Sequence, residues 1–159
     1  MQLRLYLLAG MFSLAGSTYA QQQQPVTWTY STKLIGKQVY EIHITASIDA
    51  GWHIYSQHQP SEAIAVPTSI TYTQNPLIAI QGPTKEEGKV VHFRNDTIGI
   101  AQDQYSKKVD FVQVVRLKAA VKTKVQGNLT FQACTDEQCL PAAHINFSIE
   151  LTPSGEGAM

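Results

Sequence analysis

From Val26 onward, apolar and polar side chains tend to alternate, and no segment repeats its apolar residues at the three-to-four spacing of a helix. The cleanest run sets Tyr40, Ile42, Ile44, Ala46 and Ile48 against Glu41, His43, Thr45 and Ser47, which predicts a strand with one buried face. Asp49-Ala50-Gly51 closes it with turn residues, and Gly51 can supply a positive φ. Before it, Val26, Trp28 and Tyr30 predict a short first strand. After it, Trp52 and Ile54 share one face, and Trp52 is expected to plug the core. His53 and Tyr55 share the opposite face, where they either line a site or cover the sheet.

A loop containing Pro60 is expected from Ser56 to about Val66, then a strand over residues 67–73 with Ile70 and Tyr72 on one face. Asn75-Pro76 breaks that strand. Residues 77–80 form a short apolar piece, residues 81–88 a polar turn, and residues 90–93 resume extended structure. Residues 94–99 read as a polar loop with Ile98 near its tip, either a plain connection or a flap. Residues 109–118 are rich in β-branched side chains, and Val112 and Val114 on the second face predict burial on both sides. Val125, Gly127, Leu129, Phe131 and Ala133 alternate, as do Ile145, Phe147, Ile149 and Leu151. Many short strands separated by turn signals predict an all-β chain folded as an antiparallel β-sandwich.

Between the last two runs lies Ala133-Cys134-Thr135-Asp136-Glu137-Gln138-Cys139-Leu140-Pro141, which holds the only two cysteines in the chain. They are expected at the two feet of one hairpin connection, where a four-residue turn brings their Cα atoms within the roughly 4.4–6.8 Å that a disulfide needs. A structural staple and an exchangeable redox pair both fit this spacing. The staple would be poorly placed: loop entropy gives only about 2 kcal/mol for so short a loop, and the bridge cannot join strands distant in sequence.

The charges balance, 12 basic against 12 acidic residues, with no basic cluster, which argues against nucleic acid as a partner. The length of 159 residues suits one domain. Residues 1–20 combine Arg4, a short apolar run and the small-x-small signal Thr18-Tyr19-Ala20, the pattern of a signal peptide. The chain is therefore expected to be exported, periplasmic or otherwise, into an oxidising compartment, with no transmembrane segment after cleavage. Residues 21–25 are expected to be a flexible lead-in, 26–152 the domain and 153–159 a loose tail. Cys134, Cys139 and His144 are too few for a zinc site, no hydrolase motif is present, and no cofactor or metal is expected.

Three segments in this order carry a resemblance: Gly51-Trp52-His53-Ile54-Tyr55-Ser56-Gln57, Pro67-Thr68-Ser69, and the cysteine segment with its following Leu140-Pro141. The chain resembles the N-terminal periplasmic domain of the DsbD family of thiol:disulfide interchange proteins, from about Val26 to Leu151. The resemblance implies an immunoglobulin-like sandwich whose cysteine-bearing hairpin cycles between dithiol and disulfide. It implies that Cys139 forms mixed disulfides with partners and Cys134 resolves them. It further implies a cap loop at Asn95, Asp96, Thr97, Ile98 and Gly99, and a site lined by Tyr55. The family's cap carries an acidic pair and an aromatic tip, whereas this loop has one acid and no aromatic residue. The implied partner is a thioredoxin-like donor or acceptor, expected here in trans.

Exchange needs a thiolate. Asp136 and Glu137 lie between the cysteines with no Lys or Arg adjacent, so local charge should raise the thiol pKa values. An unperturbed thiol is only about 3% thiolate at pH 7, which predicts a slow-reacting pair. The two acids are alternatively suited to recognising basic groups on a partner.

Overall fold

The computed structural model describes residues 24–153. The signal-peptide segment 1–20, residues 21–23 of the lead-in and residues 154–159 of the tail lie outside the described residues. Within them the order is β1 (Val26–Gly36), β2 (Val39–Ile48), β3 (His53–Tyr55), β4 (Ser69–Tyr72), β5 (Ile78–Asn95), β6 (Ile100–Leu117), β7 (Thr123–Phe131), β8 (Ala133–Cys134) and β9 (Ala143–Leu151). Among the described residues there is no helix.

β6 organises the larger sheet. β2 and then β3 pair along one of its edges, β5 runs the length of the other, β1 adds outside β2, and β8 adds outside β3. The second sheet is β4-β7-β9. All pairings are antiparallel. The two sheets enclose Ile42, Ile44, Val109, Phe111 and Val115 from one side and Val125, Leu129 and Phe147 from the other. Burying each such side chain contributes roughly 1.5–3 kcal/mol. Trp28 bridges the layers, its ring 5.9 Å from Phe111 and 5.1 Å from Phe131. Trp52 is buried in the same core. This is the expected immunoglobulin-like antiparallel β-sandwich with a cysteine-bearing hairpin.

Three local expectations need correction. β1 is not short: it pairs with β2 from Val26↔Ile48 to Gly36↔Val39, although its second half, including Leu34 and Ile35, is exposed. Hydrogen bonds to β2 extend it beyond the reach of the burial pattern. Residues 81–88 do not form a turn. They lie within β5, an unbroken edge strand with register shifts between Gln81 and Lys85 and between Gly88 and Val90. Gly82 takes the positive φ of 67° that the first bulge requires, and Pro83 is tolerated because β5 pairs only with β6. The buried Gln113 amide donates to Gln81 O at 3.1 Å and Gly82 O at 3.2 Å, satisfying carbonyls at the bulge.

The third correction moves the site. β7 and β9 pair with each other from Thr123↔Leu151 to Phe131↔Ala143, but Ala133 does not continue β7. At Gln132 the chain crosses between layers, and Ala133-Cys134 joins the larger sheet beside β3. The cysteine hairpin thus sits at the rim of the sandwich, against the His53–Tyr55 strand.

Candidate functional site

Cys134 and Cys139 are disulfide-bonded, with Cα atoms 4.0 Å apart, slightly closer than the range expected from the spacing. Thr135 N donates to Gln138 O at 2.7 Å and Leu140 N to Ala133 O at 2.9 Å. Those bonds flank the cysteines, making them a non-hydrogen-bonded antiparallel pair, the type in which opposed residues approach most closely. Thr135 Oγ1 accepts from Glu137 N at 3.2 Å and Gln138 N at 3.1 Å, fixing the turn without a glycine. The two cysteines differ sharply in access. Cys134 is 0% exposed, whereas Cys139 lies at the surface.

Cys139 opens onto a cleft of about 440 Å³. Its walls come from the hairpin turn, from His53 and Tyr55 on β3, from Ile64 and Ala65 in the loop after β3, and from Phe93, Ile100, Gln102 and Gln104 on the β5–β6 hairpin. Gln132, at the crossing between layers, ties two of these walls together: its Oε1 accepts from Val66 N at 3.1 Å and its Nε2 donates to Leu140 O at 3.1 Å. Glu86 on β5 anchors the start of the loop. It accepts from Ser56 Oγ at 2.6 Å, Gln57 N at 2.6 Å and Tyr105 Oη at 2.9 Å. That carboxylate, together with burial, pushes the Tyr105 phenol far above its ordinary range, burial being the larger cause. Gln59 adds a second tie, donating to Asp103 O at 2.7 Å and accepting from Asp103 N at 3.1 Å.

His53 and Tyr55 are both buried, and His53 Nε2 lies 3.2 Å from the Tyr55 hydroxyl with the rings edge to face. Burial lowers the His53 pKa from its ordinary value, and the Asp136 carboxylate partly opposes that shift. Burial also raises the Tyr55 phenol. Neither Lys nor Arg lines the cleft. Its walls are mainly apolar and amide-bearing, with the exposed carboxylates of Asp136 and Glu137 on the turn side.

Of the residues singled out from the sequence, His53, Tyr55, Asp136, Glu137 and Cys139 line this cleft, with Cys134 bonded beneath. Asn95, Asp96, Thr97, Ile98 and Gly99 do not line it. They form the tip of the β5–β6 hairpin, a turn in which Asn95 Oδ1 accepts from Thr97 N at 3.2 Å and Gly99 has φ 68°. The cleft is instead touched by the hairpin arms, because Phe93↔Gln102 and Asn95↔Ile100 are opposed pairs that share a face. Phe93 supplies there the aromatic ring that the tip lacks. The sequence carries no signal that singles out Phe93 and the glutamines, because their shared face depends on the Phe93↔Gln102 register. His144, weighed as a metal ligand, lies on β9 with Nδ1 2.9 Å from Thr130 Oγ1.

The profile of the family described as thiol:disulfide interchange protein DsbD, N-terminal, matches residues 20–150. No curated protein matches the chain. Among solved structures, the N-terminal periplasmic domain of ScsB from Proteus mirabilis is similar over 80% of this chain and 47% of that one, at 16% identity and a TM-score of 0.51. The present chain thus spans about half of that structure. The Neisseria meningitidis DsbD N-terminal domain in the reduced form aligns over 80% of this chain and 90% of that one, at 14% identity and a TM-score of 0.38. The ScsB likeness supports the sandwich fold, and among the described residues no helix is long and apolar enough to cross a membrane. With the family profile covering most of the chain and the cysteine pair bonded at the rim, the protein belongs to the DsbD N-terminal family of thiol:disulfide interchange proteins.

Proposed function

We propose that this is an exported, periplasmic-type domain whose Cys134–Cys139 pair relays electrons to or from a thioredoxin-like protein. The observation that carries the reading is the unequal access of the two sulfurs: Cys139 faces the cleft and Cys134 is fully enclosed. A partner thiolate that attacks Cys139 Sγ breaks the bridge, forms a mixed disulfide and releases Cys134 as the internal leaving group. In the opposite direction Cys134 attacks Cys139 Sγ, re-forms the bridge and expels the partner sulfur. Asp136 and Glu137, exposed on the turn, are suited to meet basic groups around the partner's active site. The β5–β6 hairpin, with Phe93 on the cleft and residues 95–99 at its tip, serves as the cap that a partner displaces.

The reduction potential of the pair tests this directly, by equilibration in redox buffers and mass-tagging of free thiols. A midpoint between about −180 and −270 mV lies in the range of exchanging oxidoreductases and is the expected result. A midpoint below about −300 mV would mark a resistant structural bridge, and the protein would then be a binding module with a hairpin disulfide. Cys134→Ser should trap a mixed disulfide through Cys139, whereas Cys139→Ser should trap none.

A further inference from the structure

We infer that His53 accepts the proton of the Cys134 thiol when that buried sulfur resolves a mixed disulfide at Cys139. The inference rests on the exchange reading above. His53, Cys134 and Cys139 form one row across three strand segments: His53 is the register partner of Cys134, and Cys134 is that of Cys139. Directly opposed residues project to the same face with Cβ atoms roughly 4.5–5.5 Å apart. Cys134 therefore sits between an imidazole and the sulfur it must attack.

The geometry addresses a difficulty specific to Cys134. Cys134 is fully enclosed, so its sulfur is shielded from solvent, and burial disfavours the thiolate. Asp136 and Glu137 on the adjacent turn add negative charge that opposes ionisation further. A neutral imidazole in the same row removes the obstacle, because proton transfer between neighbours replaces release to solvent. Burial keeps the ring in that neutral, basic form near pH 7. The groups around His53 are Tyr55 on its own strand, Cys134 on β8, Asp136 on the turn, and the neutral Gln104 and Ser106 on β6. Asp49 and Lys107 line the adjoining cleft that His53 also borders. In the tautomer whose Nε2–H donates to the Tyr55 hydroxyl, Nδ1 is left as the acceptor, and that is the tautomer the proposed transfer uses.

In the mixed disulfide, Cys139 Sγ is bonded to the partner and Cys134 carries S–H. The proton moves to His53 Nδ1, the Cys134 sulfur attacks Cys139 Sγ, the internal bridge forms and the bond to the partner breaks. The partner sulfur leaves as a thiolate and collects the imidazolium proton through solvent. Two electrons have passed from the dithiol to the partner's original disulfide.

The reduced full-length protein mixed with 5,5′-dithiobis(2-nitrobenzoate) separates the two events. The first equivalent of coloured thiolate reports attack by Cys139, and the second reports resolution by Cys134. Stopped-flow traces between about pH 5 and 9 should show a wild-type second phase that levels off above about pH 6.5. His53→Gln should slow that phase at pH 7 about tenfold or more relative to the first phase and restore a steady rise to beyond about pH 8.5. An identical second phase in both proteins overturns the role. If His53→Gln does not fold, the wild-type profile decides alone: a rise that continues past about pH 8.5 overturns it. A normal reduction potential with a His53-independent second phase removes this inference only. No second equivalent from the wild type removes the exchange reading and this one together.

Discussion

Asp136 acts on its neighbours in two opposed ways. Its carboxylate raises His53 against the larger lowering by burial, and it places negative charge beside the sulfurs, which opposes thiolate formation. Asp136→Asn should preserve the turn, whose hydrogen bonds run through Thr135 Oγ1 and the backbone. His53 followed by NMR titration should then move further down, and alkylation of Cys139 in the reduced protein at pH 7 should accelerate. An upward His53 shift would contradict the charge argument. The same residue links stability to pH. His53 is depressed in the folded protein and near about 6.5 in the unfolded chain, so below that pH the unfolded chain binds more protons. Its contribution is present in full above about pH 6.5 and is lost as the pH falls through the folded value. The wild-type Tm should therefore drop more between about pH 7 and 5 than that of His53→Gln, and parallel curves would show that the histidine carries no such linkage.

The loop after β3 is held by Glu86, which reaches it from β5, and by its own Gln59, which bonds Asp103 on β6, so one wall of the cleft is fixed by strands remote in sequence. Glu86→Ala leaves Ser56 Oγ, Gln57 N and the Tyr105 hydroxyl without that acceptor, which should cost about 2–3 kcal/mol in urea unfolding and make the loop a preferred site of proteolysis. Unchanged unfolding would mean that water replaces the carboxylate freely. Gly127 on β7 has a different constraint: a Cβ there would collide with Thr71 O and stand 2.5 Å from Phe147 Cζ. Gly127→Ala should destabilise by about 3 kcal/mol through overpacking between β4 and β9. These contacts also mark what the sequence could and could not disclose. β2, β7 and β9 were legible because one face is buried and the other wet, so the alternation reports the pleat. β5 was not, because a bulged edge strand is held by hydrogen bonds to β6 and by Gln113, and its own residues carry no periodic burial. The crossing at Gln132 was equally hidden, since Phe131 and Ala133 keep an unbroken alternation while changing sheets. At the site, Cys134, Cys139, His53 and Tyr55 stood out by residue type, but Phe93 and Gln102 acquire their place only through the β5–β6 register.

The proposed relay requires a domain that is folded in both redox states, and in this sandwich the core and the cysteine bridge occupy separate places. The core lies between the sheets, around Phe111, Ile42, Ile44, Leu129 and the Trp28 ring, whereas the bridge closes a short hairpin at the rim. In the chain-entropy account such a loop contributes only about 2 kcal/mol. Reduction, or the double substitution Cys134→Ser with Cys139→Ser, should therefore lower the Tm by roughly 5–10 °C while unfolding stays cooperative. Calorimetry of the oxidised and reduced forms checks this. A reduced protein that loses its cooperative transition would make the bridge a staple on which the fold depends, and a domain of that kind has no folded dithiol form with which to attack a partner. A modest drop instead leaves the dithiol on the same rigid frame, with Cys134 still beside His53 and Cys139 still open to the cleft, so each exchange begins from a geometry the sandwich has already set.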